Sequence, residues 1–123
     1  MRGRTVSIAL IAAVVVAGCG PTPPQAPKPE AKRLDKSLGD ISSACGLAYQ
    51  VTAFPGDHRS DLITLEVTAT SAAREFAAVY ARNPEWIYQS ERLRKIASDA
   101  VSLLQGCGLG GAAHTLRQAT SAG

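Results

Sequence analysis

Leu62-Ile63-Thr64-Leu65-Glu66-Val67-Thr68-Ala69-Thr70 is the stretch on which the fold class turns. Ile63, Leu65, Val67 and Ala69 alternate with Thr64, Glu66, Thr68 and Thr70, the pattern and β-branched content of a half-buried strand. The same residues carry a second periodicity, in which Leu62, Leu65, Ala69, Ala72, Phe76 and Val79 recur at helical spacings of 3 and 4. That pattern runs on through Ala72-Ala-Arg-Glu-Phe-Ala-Ala-Val-Tyr-Ala81, rich in helix formers. No other segment reads as β, and a single strand has nothing to pair with. The spacing therefore predicts a helix over about residues 60–82 and a mainly α chain.

Upstream, Leu34, Leu38, Ile41, Cys45, Ala48 and Thr52 share one helical face. Gly39 and Gly46 lie on a common stripe of that helix; either they admit a close neighbour or they weaken it by up to about 1 kcal/mol each. Phe54-Pro55-Gly56-Asp57 ends it with turn chemistry, and Ser60 or Asp61 offers the next N-cap. Downstream, Asn83-Pro84-Glu85 reads as a helix start, with Asn as cap, Pro in the first turn and Glu against the positive helix end. Trp86, Leu93, Ile96, Ala100, Leu103 and Cys107 then form an apolar stripe. Glu91, Lys95 and Asp99 make i,i+4 pairs on its wet side. Gly106-Cys-Gly-Leu-Gly-Gly111 matches G-x-G-x-x-G but follows a helix rather than a strand, so it is a helix end and turn rather than a dinucleotide loop. Residues 112–118 are long enough for a short fourth helix, and 119–123 read as a frayed tail.

At the other extreme stands Arg2 and Arg4, an apolar run from Val6 to Ala17, and small residues before Cys19. The run is too short to span a bilayer, which takes about 20 apolar residues, and has the order of an export signal. Val16-Ala17-Gly18-Cys19 resembles the lipobox of bacterial lipoprotein precursors, with Val16 where Leu is more usual. The resemblance covers about the first 20 residues. It implies removal of 1–18 as a signal peptide and acylation of Cys19, by a diacylglycerol and palmitate-like chains, as the new N-terminus. Two or more acyl chains hold a protein stably on a membrane where one binds marginally. The expected address is a cell membrane or outer envelope, on the non-cytoplasmic side.

With Cys19 lipidated, Cys45 and Cys107 remain as a pair, and such a pair oxidises outside the cytoplasm. The alternative, zinc, wants four ligands, and the only other soft donors are His58 and His114. If the first and third helices ran parallel and level, the two cysteines would differ in height by roughly 15 Å. A disulfide needs Cα atoms within about 7 Å, so either the third helix is shifted or the Gly106-Cys107-Gly108 turn folds back, and the shift is expected.

Five prolines between Pro21 and Pro29 make residues 19–33 a lipidated cysteine followed by a polyproline-type tether, with a reach on the order of 40 Å. A proline-rich ligand for a partner is the alternative reading. The domain proper spans 34–118. The architecture expected is a small three-helix bundle with one disulfide, preceded by signal and tether.

Removing Arg2 and Arg4 from 13 Lys+Arg leaves 11 against 10 Asp+Glu, so the basicity is largely the leader's, and outside the short run Arg92-Leu93-Arg94-Lys95 there is no clustered basic face to suggest nucleic acid. The chain shows no nucleophile elbow, no H-E-x-x-H, no phosphate loop and no convincingly spaced carboxylate pair. Asp57, His58 and Asp61 could be drawn as metal ligands or an acid/base set but read as a polar loop. Neither an enzyme, a cofactor nor a metal is expected. What remains is display: a lipid-anchored module binding another envelope or extracellular protein. Tyr49, Tyr80, Tyr88 and Arg92 are the candidate contacts, since Tyr and Arg are enriched at interface centres; packing at the corner of the second and third helices is the competing account of Tyr80 and Tyr88. The alternative function is a binder of an apolar or lipid-like ligand, in a cavity of about 300 Å³ or more lined by Leu65, Phe76, Leu93 and Leu103.

Overall fold

The computed structural model describes residues 23–121, and the expected export signal and Cys19 lie outside them. Four helices, α1 (Lys28–Thr52), α2 (Arg59–Tyr80), α3 (Leu93–Gly106) and α4 (Gly110–Ser121), form the fold, with a two-residue hairpin, β1 (Ile87–Tyr88) and β2 (Glu91–Arg92), between α2 and α3. The helical period of 62–70 prevails over its alternation: the whole stretch lies in α2. Ala69, Ala72, Ala73, Phe76 and Val79 are buried there, while the alternating Ile63 and Val67 are exposed.

α1 and α2 run antiparallel, as Arg33 meets Glu75 near one end. α1 and α3 run parallel, with Tyr88 on Asp35 just before α3 begins and Cys45 joined to Cys107 where it ends. We call the end where residues 24–26 come in proximal, and the end with the α1–α2 and α3–α4 turns distal. Leu34, Ile41, Phe76, Val79, Leu93, Leu104, Leu109 and Leu116 are fully buried, each contributing about 1.5–3 kcal/mol of transfer free energy. Alanines 44, 48, 69, 72, 73, 97, 100, 112 and 113 fill the rest of the core, and their small size lets the helix axes approach closely.

Three boundaries differ from the sequence reading. First, α1 starts at Lys28, not Leu34, so residues 28–33 of the expected tether are helix. Pro29 lies in the first turn, where its missing N–H is no loss, and Glu30 faces the positive helix end. The remaining tether is not free either: Ala26 N–H donates to Ile87 O and Ile87 N–H donates to Pro24 O, both at 2.9 Å. Proline removes its own donor but not its carbonyl, nor its neighbour's amide.

Second, Asn83-Pro84-Glu85 does not start a helix. Asn83 Oδ1 accepts the Glu85 N–H at 3.0 Å and the Pro84 carbonyl accepts the Arg94 N–H at 3.0 Å, which commits this segment to a turn. The chain then reverses at Gln89 and Ser90, whose φ values of 49° and 70° are unusual without glycine. α3 starts only at Leu93, and this removes the cysteine mismatch: Cys45 lies 17 residues after Lys28 and Cys107 lies 14 after Leu93, a difference of about 4.5 Å along the axis. Their Cα atoms are 5.4 Å apart and the disulfide is formed.

Third, α4 is a full helix to Ser121, so 119–121 are not frayed. α3 ends in a Schellman motif: Leu109 N–H donates to Leu104 O, Gly108 N–H to Gln105 O, and Gly108 takes φ +86°. Glu66 of α2 then caps α4, accepting from the Gly111 N–H at 2.8 Å and the Ala112 N–H at 3.2 Å. A Cβ at position 111 would lie 2.6 Å from Glu66 Oε1, so only glycine admits the carboxylate this closely. α4 also shifts the buried stripe of α3 to Leu93, Ala97, Ala100 and Leu104, leaving Leu103 41 % exposed. On α2, the N-cap position is His58 rather than Ser60 or Asp61, and Asp57 Oδ1 accepts the Arg59 N–H at 3.0 Å.

Candidate functional site

The four expected contact residues separate. Tyr49 is 56 % exposed near the distal end, with its hydroxyl donating to Gly106 O at 3.0 Å. Arg92 is exposed on the hairpin, 3.6 Å from Glu85. Tyr80 and Tyr88, by contrast, are buried at 2 % and 8 % exposure, so neither can head an interface. Tyr80 packs on Phe76, centroid to centroid 6.3 Å, in the core. Tyr88 is drawn inward by the hairpin, where its hydroxyl donates to Asp35 Oδ1 and accepts from Gln89 Nε2. Burial, helped by the hydrogen bond and the negative charge of Asp35, pushes the Tyr88 phenol up to about 12.

Beside Tyr88 a shallow groove of about 250 Å³ runs between α1, the hairpin and α3, floored by Leu38, Ile41, Ile96 and Leu103. Of the four residues expected to line a ligand cavity, only Leu103 reaches it; Phe76 and Leu93 are fully buried in the core, and Leu65 packs half-buried against it. Nor do Asp57, His58 and Asp61 converge: the His58 ring contacts the Phe54 carbonyl, while Asp57 holds the Arg59 amide. Among the described residues, no group of three or more His, Cys, Asp or Glu is placed to hold a metal ion, and no helix is long and apolar enough to cross a membrane.

No family model matches this chain, and no curated protein or solved structure is significantly similar to it.

The surface is divided. Among the described residues, the large hydrophobic side chains left exposed are Leu47, Tyr49, Phe54, Ile63, Val67 and Leu103. All belong to the distal half: the last turns of α1 and the turn after it, the first turns of α2, and the last turn of α3. Phe54 is the most open at 68 %, beside Pro55. Sequence reasoning picked out Tyr49 and missed the other five because it looked for apolar residues in buried stripes. Ile63 and Val67 did carry a signal, since they fall off the helical stripe of α2 that Leu62, Leu65 and Ala69 define.

The proximal half carries the polar ties. Arg82 Nη1 donates to the buried Glu30 Oε2 at 2.5 Å, and its guanidinium lies 5.9 Å from the Trp86 ring centroid. Glu85 pairs with Arg92 and, at 2.7 Å, with Arg94, whose guanidinium is pushed up by that hydrogen bond. Gly39 and Gly46 of α1 admit no close neighbour, for nothing lies within 4 Å of a Cβ at either; they are exposed helix positions that weaken α1.

Proposed function

We propose that this protein is a non-catalytic, lipid-anchored envelope protein that presents its distal end to another envelope or extracellular protein. The lipobox resemblance at Val16–Cys19 supports the anchor and the non-cytoplasmic address. The observation that carries the binding role is that the six large hydrophobics exposed among the described residues all lie in the half away from the incoming chain. Outside residues 28–40, residues 74–99 and Arg117, the described chain holds Asp57, Asp61 and Glu66 against Arg59, a net charge of −2. The fitting partner is thus a protein surface with an apolar centre and a basic rim.

Site-specific photocrosslinkers at Phe54 and at Arg74, placed in the full chain in intact cells, test this. Phe54 should capture one defined neighbour that Arg74 does not. The captured protein should bind the purified chain, and Phe54→Glu with Leu47→Glu should weaken that binding at least tenfold, the effect of losing two or more apolar anchors at about 1–2 kcal/mol each. Equal capture from both positions, or binding indifferent to the two substitutions, would overturn the reading.

A further inference from the structure

We infer that the proximal end of the bundle rests on an anionic lipid surface, its Lys28, Lys32 and Arg74 facing the headgroups. The inference rests on the lipid anchor proposed above and specifies how the domain sits on it.

The hydrogen bonds of Pro24 and Ala26 to Ile87 shorten the tether. Five Cα–Cα steps separate Cys19 from Pro24, a reach of at most about 18 Å, against the order of 40 Å that the proline-rich sequence alone suggests. An acylated Cys19 would hold the proximal end within about two Debye lengths of the headgroups, close enough for charge to orient it.

The charge is there. Residues 28–40 and 74–99, which meet at this end, together with Arg117 beside Tyr80 and Arg94, hold ten Lys/Arg (28, 32, 33, 36, 74, 82, 92, 94, 95, 117) and seven acids (30, 35, 40, 75, 85, 91, 99), net +3. This polarity is invisible in the near-neutral total because the acids dominate elsewhere. Lys28 and Lys32, one helical turn apart on α1, and Arg74 on α2 are exposed and enter no ion pair among the described residues. They are therefore available to phosphates at little cost in broken contacts. Each basic side chain near an anionic leaflet multiplies the population in contact by about fivefold. Trp86, half-buried beside Arg82, stands at this same end, a residue type favoured at the headgroup level.

Trp86 is the only tryptophan in the chain, which makes it the reporter. The protein, purified in detergent from the membranes of expressing cells, is reconstituted into vesicles of phosphatidylcholine alone or mixed with phosphatidylglycerol, each containing headgroup-spin-labelled lipid. Trp86 fluorescence should be quenched more strongly in the phosphatidylglycerol vesicles. The excess should vanish in high salt and in Lys28→Glu/Lys32→Glu, yet persist in Arg59→Glu, at the distal start of α2. The two reversals should lower the contact population by on the order of 25-fold or more. Quenching that is equal in both lipids and indifferent to salt and charge reversal overturns the inference. The anchor is read separately, by flotation with neutral vesicles in high salt. If the protein fails to float there, the anchor is lost, and the surface stands only if salt-sensitive flotation with phosphatidylglycerol vesicles survives and is abolished by Lys28→Glu/Lys32→Glu; absence of that flotation overturns it too.

Discussion

At the distal end α1 and α3 are joined covalently through Cys45 and Cys107, with Tyr49 reinforcing the join at Gly106. At the proximal end the same two segments meet through a hydrogen bond between Tyr88 and Asp35, and α1 meets α2 through Glu30 and Arg82. The end with the covalent bond exposes its large hydrophobics; the end held by polar groups buries Phe76, Tyr80 and Tyr88 and exposes cations. A disulfide near the distal turns constrains the unfolded chain, so this end can leave apolar side chains in water and still stay closed. Hydrogen bonds and ion pairs are different, since their strength depends on protonation and on water's access to them.

The sharpest way to break this asymmetry is to remove the covalent join. Cys45→Ser with Cys107→Ser should lower unfolding free energy by about 4 kcal/mol, as expected for closing a loop over a sequence separation of 62. Urea denaturation of the double variant against the oxidised parent measures it, and hydrogen exchange should rise first in the distal turns. A loss confined to the proximal segments would reverse the assignment of ends.

A smaller loss should follow at the other end. Arg82→Ala leaves Glu30, only 7 % exposed, without its partner and should cost about 1–3 kcal/mol. Adding Glu30→Gln should recover part of the loss in the same denaturation experiment, because it removes the unpaired charge. If the double variant were no more stable than Arg82→Ala alone, packing on Trp86 rather than the buried carboxylate would explain the cost.

The smallest effect is a pH dependence confined to the proximal end. Tyr88 holds its proton up to about 12 in the folded chain against 10.0 unfolded, so its contribution is complete below pH 10 and is lost as pH rises from 10 to 12. The denaturation midpoint of the parent should fall over that window more than that of Tyr88→Phe, and the tyrosinate absorbance of the parent should show one late-titrating group absent from the variant. Equal falls in both proteins would separate Tyr88 from the pH response.

How much of this was legible beforehand varied with the range of the interaction responsible. The helical nature of 62–70 was readable because one pattern extended to Phe76 and Val79 while the competing strand had no partner. The cysteine pairing was readable from composition. The start of α1 at Lys28 had a local signal, Pro29 followed by Glu30, which is the logic applied to Pro84 and Glu85; in the first place it holds and in the second it fails. The difference is tertiary. Glu30 is held by Arg82 far along the chain, whereas at 83–85 the Asn83 side chain and the Arg94 amide draw the backbone into a turn. The hairpin at Gln89 and Ser90 had no turn-residue signal, because neither is the glycine or asparagine that such φ values favour. Its absence from the sequence reading is what placed Tyr88 on the surface.

The sequence by itself determined that the chain is helical and that Cys45 and Cys107 are the pair to join, and it carries at residues 1–19 a resemblance to an export signal with a lipobox, since periodicity, composition and short motifs are properties of neighbouring residues. Only the tertiary structure decided where α3 begins, that Tyr80 and Tyr88 are core, that the tether is pinned to Ile87, and that cations collect at one end and exposed hydrophobics at the other. Each of these depends on contacts between residues tens of positions apart, whose free energies override local preferences of about 1 kcal/mol and leave no mark on the order of the residues themselves.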